Sequence, residues 1–595
     1  MSNKKLLKRI LVWRARYITN RQFIYILSVI VGITSGIGAV LLKNATHFIQ
    51  HALEGKLVAN YHHAFYFLSP ILGFFLVYLC VKYIIRNKVS HGIPSTLYAI
   101  AKRKGFMKRY QMFGSLITAP ITVGFGGSVG LEGPTVATGA AISSNLSRFF
   151  HLDQTTRNLL ISCAAAGALS SIFKAPIAAI VFAIEVFSLD LTIASMLPLL
   201  LASLSAIITS YFFFGDDVLL PFTLEDKFVI SDVPFYMALG VVSALISMYY
   251  TEVYDRIQQL FDKIESPLKK LIIGGLSIGV LVYFIPPLYG EGFDVINHLM
   301  AGHPEKALAN NSLHLDLDNV WVIIALLGGL VFFKVIAGSL TFGAGGVGGI
   351  FAPTLFMGSI MGNCFAKIIN ATGLVSSPVS ESNFTLIGMA GLMAGVLHAP
   401  LTAIFLIAEV TGGYELFVPL MITATLSFGI TKYFYPHSVY TMELGRKGEL
   451  LTHDKDHAVL TLMDIDTVIE TNFIPLKQKM TLGEVVHKAI VKSNRNIFPV
   501  LDKKGKALKG ILLLDDIRDV MFKQELYKTL KVENFMQSVP EVIVYEEDNM
   551  QAVMDKFQLS GAWNLPIVKE GKYIGFVSKS KLLTAYRKKL IDFTK

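Results

Sequence analysis

Apolar stretches of membrane-spanning length follow one another through the first three quarters of the chain, separated by short polar breaks. They fall at about 23–42, 65–84, 111–123, 159–187, 193–214, 234–250, 271–288, 319–340, 350–368, 384–410 and 417–435. A helix crossing roughly 30 Å of hydrocarbon needs about 20 apolar residues, and several of these stretches are too short or are interrupted by Gly or Pro. Broken helices are tolerated at membrane depth only where protein or a water-filled cavity satisfies the freed backbone groups. The pattern therefore predicts a transport pathway more than an anchor. After residue 446 the pattern changes to short strand-like runs and amphipathic helices set among charged turns.

Composition sharpens that division. Hydrophobic residues make up 53% of the 595 positions and charged residues 16%, which excludes a soluble enzyme. Residues 447–595 hold 44 of the 97 charged side chains, so an apolar body precedes a soluble tail. The net charge of +11 is partly topogenic, because Lys4, Lys5, Lys8, Arg9, Arg14, Arg16 and Arg21 precede the first apolar stretch with no acid among them. By the positive-inside rule the N-terminus is expected in the cytoplasm, and a nucleic-acid partner is not needed to explain the charge. Cys80, Cys163 and Cys364 lie in apolar stretches and read as packing residues, without disulfide, metal or redox spacing. The expected division is a basic N-terminus 1–22, a membrane domain 23–445 with halves 23–250 and 251–445, a linker 446–462, and two soluble units at 463–525 and 531–590.

The two membrane halves repeat one another. Gly130-Leu131-Glu132-Gly133-Pro134-Thr135 matches Gly349-Ile350-Phe351-Ala352-Pro353-Thr354, and upstream Thr122, Gly124, Gly126 and Gly127 match Thr341, Gly343, Gly345 and Gly346. Further on, Ala175-Pro176 with Glu185-Val186 matches Ala399-Pro400 with Glu409-Val410. Repeated membrane units with Gly/Pro-interrupted helices point to a binding site where the repeats meet. The tail repeats too: Thr481 to Glu484 and Asp548 to Gln551 read as capping boxes, each followed eighteen residues later by a Pro in a strand-like run, Pro499 and Pro566, and then by second strands at Gly510 to Leu514 and Gly575 to Ser578. Two βαββα-like units result, and they resemble a tandem pair of CBS domains, a regulatory module that often binds adenine nucleotides.

An anion held at membrane depth needs positive potential without the cost of burying free Lys or Arg, and helix N-termini with glycine turns supply it. Three segments have that form: Ser90-His91-Gly92-Ile93-Pro94, Gly130-Leu131-Glu132-Gly133-Pro134 and Gly349-Ile350-Phe351-Ala352-Pro353. In this order they resemble the ion-path motifs G-S-G-I-P, G-K/R-E-G-P and G-x-F-x-P of the CLC family of chloride channels and proton/chloride antiporters. The resemblance covers roughly residues 20–445, and a tandem CBS tail is a common CLC appendage. It implies an all-α polytopic membrane body of two repeated halves with many broken or tilted helices, followed by a soluble α/β tandem CBS module, assembled as a homodimer.

The resemblance also implies roles. The Tyr440 hydroxyl donates to the bound anion, and Glu132 is the gate and the external proton carrier. His91 stands where the family commonly has an anion-facing serine, with Ser90 in place of glycine before it, so either its ring alters selectivity and pH dependence or only backbone N–H groups serve the ion. Leu131 removes the usual cation of the second motif. Glu185 and Glu409 sit at equivalent positions and suggest an inherited structural role; after Glu185, where well-coupled antiporters often carry a second glutamate, stands Val186. In the tail, the nucleotide pattern G-h-x-T/S-x-x-D gives Gly510, Leu513 and Asp516 in one unit and Gly575, Ser578 and Lys581 in the other, with Asp516 and Ser578 the candidate ligands and neither site complete.

The expectation is transport of chloride or a similar monovalent anion across a lipid bilayer, channel-like or weakly proton-coupled, gated by Glu132 and regulated by cytoplasmic CBS domains. A coupled proton/chloride antiporter is the alternative. A CBS-regulated cation channel would place several acids along its pore, and the three loops carry only Glu132. Neither H-E-x-x-H nor Gly-Lys-Ser/Thr occurs, so neither a metalloprotease nor a nucleotide-driven pump fits. No enzyme activity, metal or resident cofactor is expected, adenine nucleotide at the tail aside. The setting expected is a bacterial inner membrane with both termini cytoplasmic.

Overall fold

A computed structural model describes residues 16–54, 56–89, 92–188, 192–215, 220, 228–308, 319–373, 377–446, 459–460 and 463–594. The chain divides into two compact units at Arg446/Lys447. The first is all helical. Its elements are α1 Asn20–Glu54, α2 Lys56–Leu79, α3 Ile93–Lys102, α4 Gln111–Gly124, α5 Glu132–Phe149, α6 Gln154–Phe173, α7 Pro176–Phe187, α8 Ile193–Phe214 and α9 Val233–Asp262, then α10 Pro267–Phe284, α11 Phe293–Met300, α12 Pro304–Ala307, α13 Val320–Gly343, α14 Phe351–Thr372, α15 Glu381–Leu397, α16 Pro400–Val410, α17 Phe417–Phe434 and α18 Met442–Arg446. Seven helices among the described residues are long and apolar enough to cross a membrane. The others include α3, α5 and α14, which start at the candidate site.

Two apolar stretches that read as continuous in sequence are each two helices. Between α6 and α7, Lys174 takes a left-handed φ of 55° and Pro176 opens the next helix; between α15 and α16, His398 takes φ 55° and Pro400 does the same. A proline is pre-set for the first turn and cannot continue the preceding helix. The break recurs at the same place in both repeats, and it exposes the N-termini of α7 and α16. Those ends are satisfied crosswise. Glu185, near the end of α7, accepts N–H bonds from Leu401 (3.0 Å) and Thr402 (2.8 Å) and a hydroxyl bond from Thr402 (2.6 Å). Glu409, near the end of α16, accepts N–H bonds from Ile177 (3.0 Å) and Ala178 (2.8 Å).

Reciprocal contacts of this kind continue up to the centre. Gly130 N–H donates to the Gly349 carbonyl at 2.9 Å and Gly349 N–H to the Gly130 carbonyl at 2.7 Å. Ser128 N–H donates to Thr341 Oγ1 and Val347 N–H to Thr122 Oγ1. Each contact maps onto its mate when the repeats are exchanged, which is what a two-fold axis between the halves produces.

The tail, the second unit, is a pair of similar α/β folds. Its strands are β1 Ile469–Glu470, β2 Leu476–Lys477, β3 Ile497–Leu501, β4 Leu508–Leu513, β5 Ile543–Val544, β6 Asn564–Lys569 and β7 Lys572–Ser578, with helices α19 Leu482–Val485, α20 Met550–Ser560 and α21 Lys579–Thr594. One sheet runs β2-β3-β4 and the other β1-β7-β6-β5, so the strand that opens the first unit is paired into the second. Thr481 and Glu484 form the expected capping box. The second box is shifted by one residue: Asn549 caps α20 through the Ala552 N–H, while Asp548 accepts from Val544 N–H and from Lys556.

The crosswise carboxylates make a stability prediction. Truncating Glu185 or Glu409 to Ala leaves the two backbone donors of one helix N-terminus without their partner, at about 1–3 kcal/mol each. Thermal melting of the purified protein in detergent should fall for both variants, and further for Glu185→Ala, which also loses the Thr402 hydroxyl bond.

Candidate functional site

The three glycine turns singled out in sequence meet at one point. Gly92 has φ 62° and ψ −118°, and a Cβ there would lie 2.6 Å from the Gly133 carbonyl carbon. A Cβ on Gly349 would lie 2.8 Å from the Gly133 nitrogen. Only glycine permits backbones to approach this closely, and at Gly92 only glycine permits the dihedral angles at low cost. The helices that start here are α3, α5 and α14. None of the three is capped by the side chain of its own N-cap residue, and at α5 only the Leu131 N–H is taken by a side chain, that of Glu291, so three helix starts converge with N–H groups left for an anion.

Between them lies a slot of about 10 Å³, room for a single water-sized particle. Ile93, Pro94, Gly133, Gly349, Ile350 and Tyr440 line it. The Tyr440 hydroxyl is buried with no hydrogen-bond partner. Phe351, Ala352 and Pro353 form the first turn of α14 behind the slot, with Phe351 packed 5.1 Å from the Phe173 ring. Ser90 and His91 lie outside the described residues. Tyr254, Phe342 and Val439 also line the slot and were not predicted; Tyr254 sits in the amphipathic extension of α9 beyond its apolar run, where an aromatic carries no distinguishing signal.

Glu132 is 1% exposed, and neither carboxylate oxygen meets hydrogen-bond geometry with a protein donor, although the backbone N–H groups of Glu132 itself and of Ala352 lie close enough to favour its charge. Its carboxyl group folds back over Gly130, where a Cβ would strike Oε2. The residues flanking it face two different spaces. Leu131 and Thr135 line a cavity of about 700 Å³, whereas Gly133 lines the slot. Glu132 is thus a buried, unsatisfied acid at the boundary between a wide cavity and a one-particle site. Burying an unpaired carboxylate costs several kcal/mol, so its retention calls for a role in which the proton or the ion supplies the missing partner. Glu185, by contrast, has its oxygens occupied by α16, and Val186 is buried in α7.

In the tail, Asp516 is already engaged, accepting from the Leu513 N–H at 3.0 Å and from Gln537 Nε2 at 2.6 Å. Ser578 Oγ accepts from the Lys581 N–H, and Lys581 Nζ donates to the Ile469 carbonyl, so the position of the nucleotide pattern's acid is a lysine bound to β1. Nearby Glu470 is pushed up by burial, but bonds from Ser578 and Arg495 outweigh this and hold it below the usual carboxylate range. Among the described residues no group of three His, Cys, Asp or Glu side chains is placed to hold a metal.

The family model described as "Voltage gated chloride channel" matches residues 72–432, and the CBS domain model matches residues 464–523 and 532–588. A protein of Ralstonia nicotianae, named among ClcB-like chloride channels, is 30% identical over 64% of this chain and 85% of its own length. The H(+)/Cl(-) exchange transporter ClcA of Vibrio cholerae is 26% identical over 67% of this chain and 84% of its own. Among solved structures, a slow cyanobacterial Cl-/H+ antiporter superposes with a TM-score of 0.60 at 21% identity, covering 72% of this chain and 98% of that one.

The convergence of glycines can be tested without reference to any ligand. Gly92→Ala combines backbone strain with a steric overlap and should cost roughly 2–4 kcal/mol. Gly302→Ala, also at positive φ (74°) but in open space, should cost only the backbone share, about 1 kcal/mol. Melting temperatures of the two variants check the difference.

Proposed function

The chain belongs to the voltage-gated chloride channel (CLC) family, and from that premise we propose that it exchanges chloride for protons across a lipid bilayer, with Glu132 as the gate both ions share. One observation carries the reading: a buried carboxylate with no partner stands between the wide cavity and a slot holding an equally unpartnered tyrosine hydroxyl. Ionised, Glu132 competes with chloride for the positive ends of α3, α5 and α14. Protonated, it loses that attraction and leaves the site to the anion. Chloride in the slot would accept from the Tyr440 hydroxyl and from backbone N–H groups around Ile350 and Phe351. Exchange is favoured over channel-like passage by the kinship with named proton/chloride exchange transporters.

The arrangement implies a sidedness. Helix α1 is 35 residues, about 52 Å long, and the cavity is lined by Ala39, Lys43 and His47 from its later half. With the basic N-terminus in the cytoplasm, the cavity opens on the outer face. The proposed setting is a bacterial plasma membrane, with both termini cytoplasmic, two copies associating as a homodimer, and the tail regulating transport from the cytoplasm. The tail is read as regulatory through its fold and contacts, since Asp516 and Ser578 are both committed within the protein.

A second reading, channel-like or weakly coupled chloride passage, rests on Val186, which cannot carry a proton at the position following Glu185. Liposomes decide between them. Under exchange, an imposed chloride gradient drives protons uphill, and Glu132→Gln abolishes the proton movement while chloride still flows. If the reversal potential follows chloride alone in the wild type, the channel-like reading stands instead. Tyr440→Phe should weaken halide binding by about five- to tenfold in isothermal titration, the loss of roughly one hydrogen bond to an anion.

A further inference from the structure

A second, half-buried acid stands beside the gate. Glu291 lies in the turn Gly290-Glu291-Gly292, and both glycines are left-handed, with φ 64° and 87°. That turn is pinned from three directions. Tyr289 donates its hydroxyl to the Gly124 carbonyl at 2.7 Å. Lys334, fully buried in α13, donates its ammonium to the Gly290 carbonyl at 3.0 Å while its Nζ stands 4.5 Å from the centre of the Phe356 ring. Glu291 Oε1 itself accepts the Leu131 N–H at 2.9 Å. The residue held by that bond immediately precedes Glu132.

Glu291 and Glu132 differ in access. Glu291 lines the 700 Å³ cavity and Glu132 does not. A proton arriving in the cavity therefore meets Glu291 first, and the bond to Leu131 keeps that carboxyl next to the gate helix. We propose that Glu291 is the proton-transfer carboxylate between the cavity and Glu132, rigidly positioned by its hydrogen bond to the Leu131 N–H and by the Lys334 anchor. This rests on the reading of Glu132 as the gate. The transfer balances without any co-reactant. A hydronium in the cavity protonates the Glu291 carboxylate and leaves water; the Glu291 acid then gives that proton to the Glu132 carboxylate and returns to its anion. Release runs the same steps backwards. Oε2 carries the proton, because Oε1 is taken by the Leu131 N–H. The charged and titratable groups around this route are Glu132 from α5, Lys43 and His47 from α1, Lys334 from α13, Asp294 and His298 from α11, Lys306 from α12, Lys174 between α6 and α7, and the Tyr66 and Tyr289 phenols. Lys334 and Lys43 offset the second acid, so that one extra negative charge beside the gate does not repel chloride outright.

Glu291→Gln separates this role from mere support, because the amide oxygen still accepts the Leu131 N–H but cannot take up a proton. In liposomes with the full-length protein, the variant should lower chloride-driven proton movement at least about tenfold and flatten the dependence of transport on pH at the cavity side. Glu291→Asp should recover part of the proton flux. In a Glu132→Gln background, Glu291→Gln should add nothing. If the wild type passes chloride without counter-flow of protons, the readout is the dependence of chloride flux on cavity-side pH, which Glu291→Gln should remove. Wild-type proton flux and an unchanged pH profile in Glu291→Gln would overturn the proposal, provided that Glu132→Gln abolishes both. Were Glu132→Gln itself to keep wild-type coupling, the gate assignment would fall, which is a distinguishable result.

Discussion

An anion at membrane depth has to be solvated by something other than water, and backbone N–H groups at helix starts supply positive potential with no net charge to desolvate. A single helix offers few of them, so several starts have to be brought to one point. Here that point is the contact of Gly92, Gly133 and Gly349, where any side chain would hold the backbones apart. The antiparallel pairing of Gly130 with Gly349 fixes the second and third of these turns against each other. Much of the body follows from this requirement. Helices α5 and α14 must stop at the centre instead of crossing, and the breaks after Lys174 and His398 turn two further helix ends inward.

Glu185, Glu409 and Glu132 show how the same residue type is put to different use in the body. Glu185 and Glu409 each reach across to the other repeat and satisfy two backbone donors there. Their positions are related by the two-fold, their bonds are complete, and they hold the halves together. Glu132 has no mate of its own kind: the equivalent position in the second repeat is Phe351. It is also the acid whose oxygens are left without partners. Symmetry thus accounts for the first pair and leaves the odd residue as the functional one.

Local chemistry made the glycine turns, the proline helix starts, the repeat and Glu132 readable from the chain alone, because each is a short motif whose residue types have few other uses. Tyr440 was readable through its place after the last apolar helix. Glu291 and Lys334 were not, since the bond from Leu131 to Glu291 spans 160 positions and neither side chain belongs to a repeated segment. The same limit applies in the tail. Asp548 satisfies the capping pattern as well as Asn549 does, and only the Lys556 ion pair and the turn at Val544 draw it away. Nor does any local signal tell that β1 joins the sheet of the second unit. Whether a site is free to bind is equally a long-range property: Asp516 matches a ligand pattern, yet Gln537 already holds it.

The two faces of the gate are unequal in their means of moving protons, and this bears on how the channel-like and exchange readings relate. On the cavity side a carboxylate stands beside Glu132 and opens to a wide space that admits water. On the other side α7 presents Val186, and Glu185 beside it is saturated by the N-terminus of α16. Neither of these two side chains is open to take a proton from Glu132. Under the proposed exchange, a slow proton step on that side would let chloride pass more often per proton, a kinetic loss of coupling. Channel-like and exchange behaviour are then two ends of one mechanism. On the proposed reading, the apolar side chain at 186 bears on the position between them together with the gate.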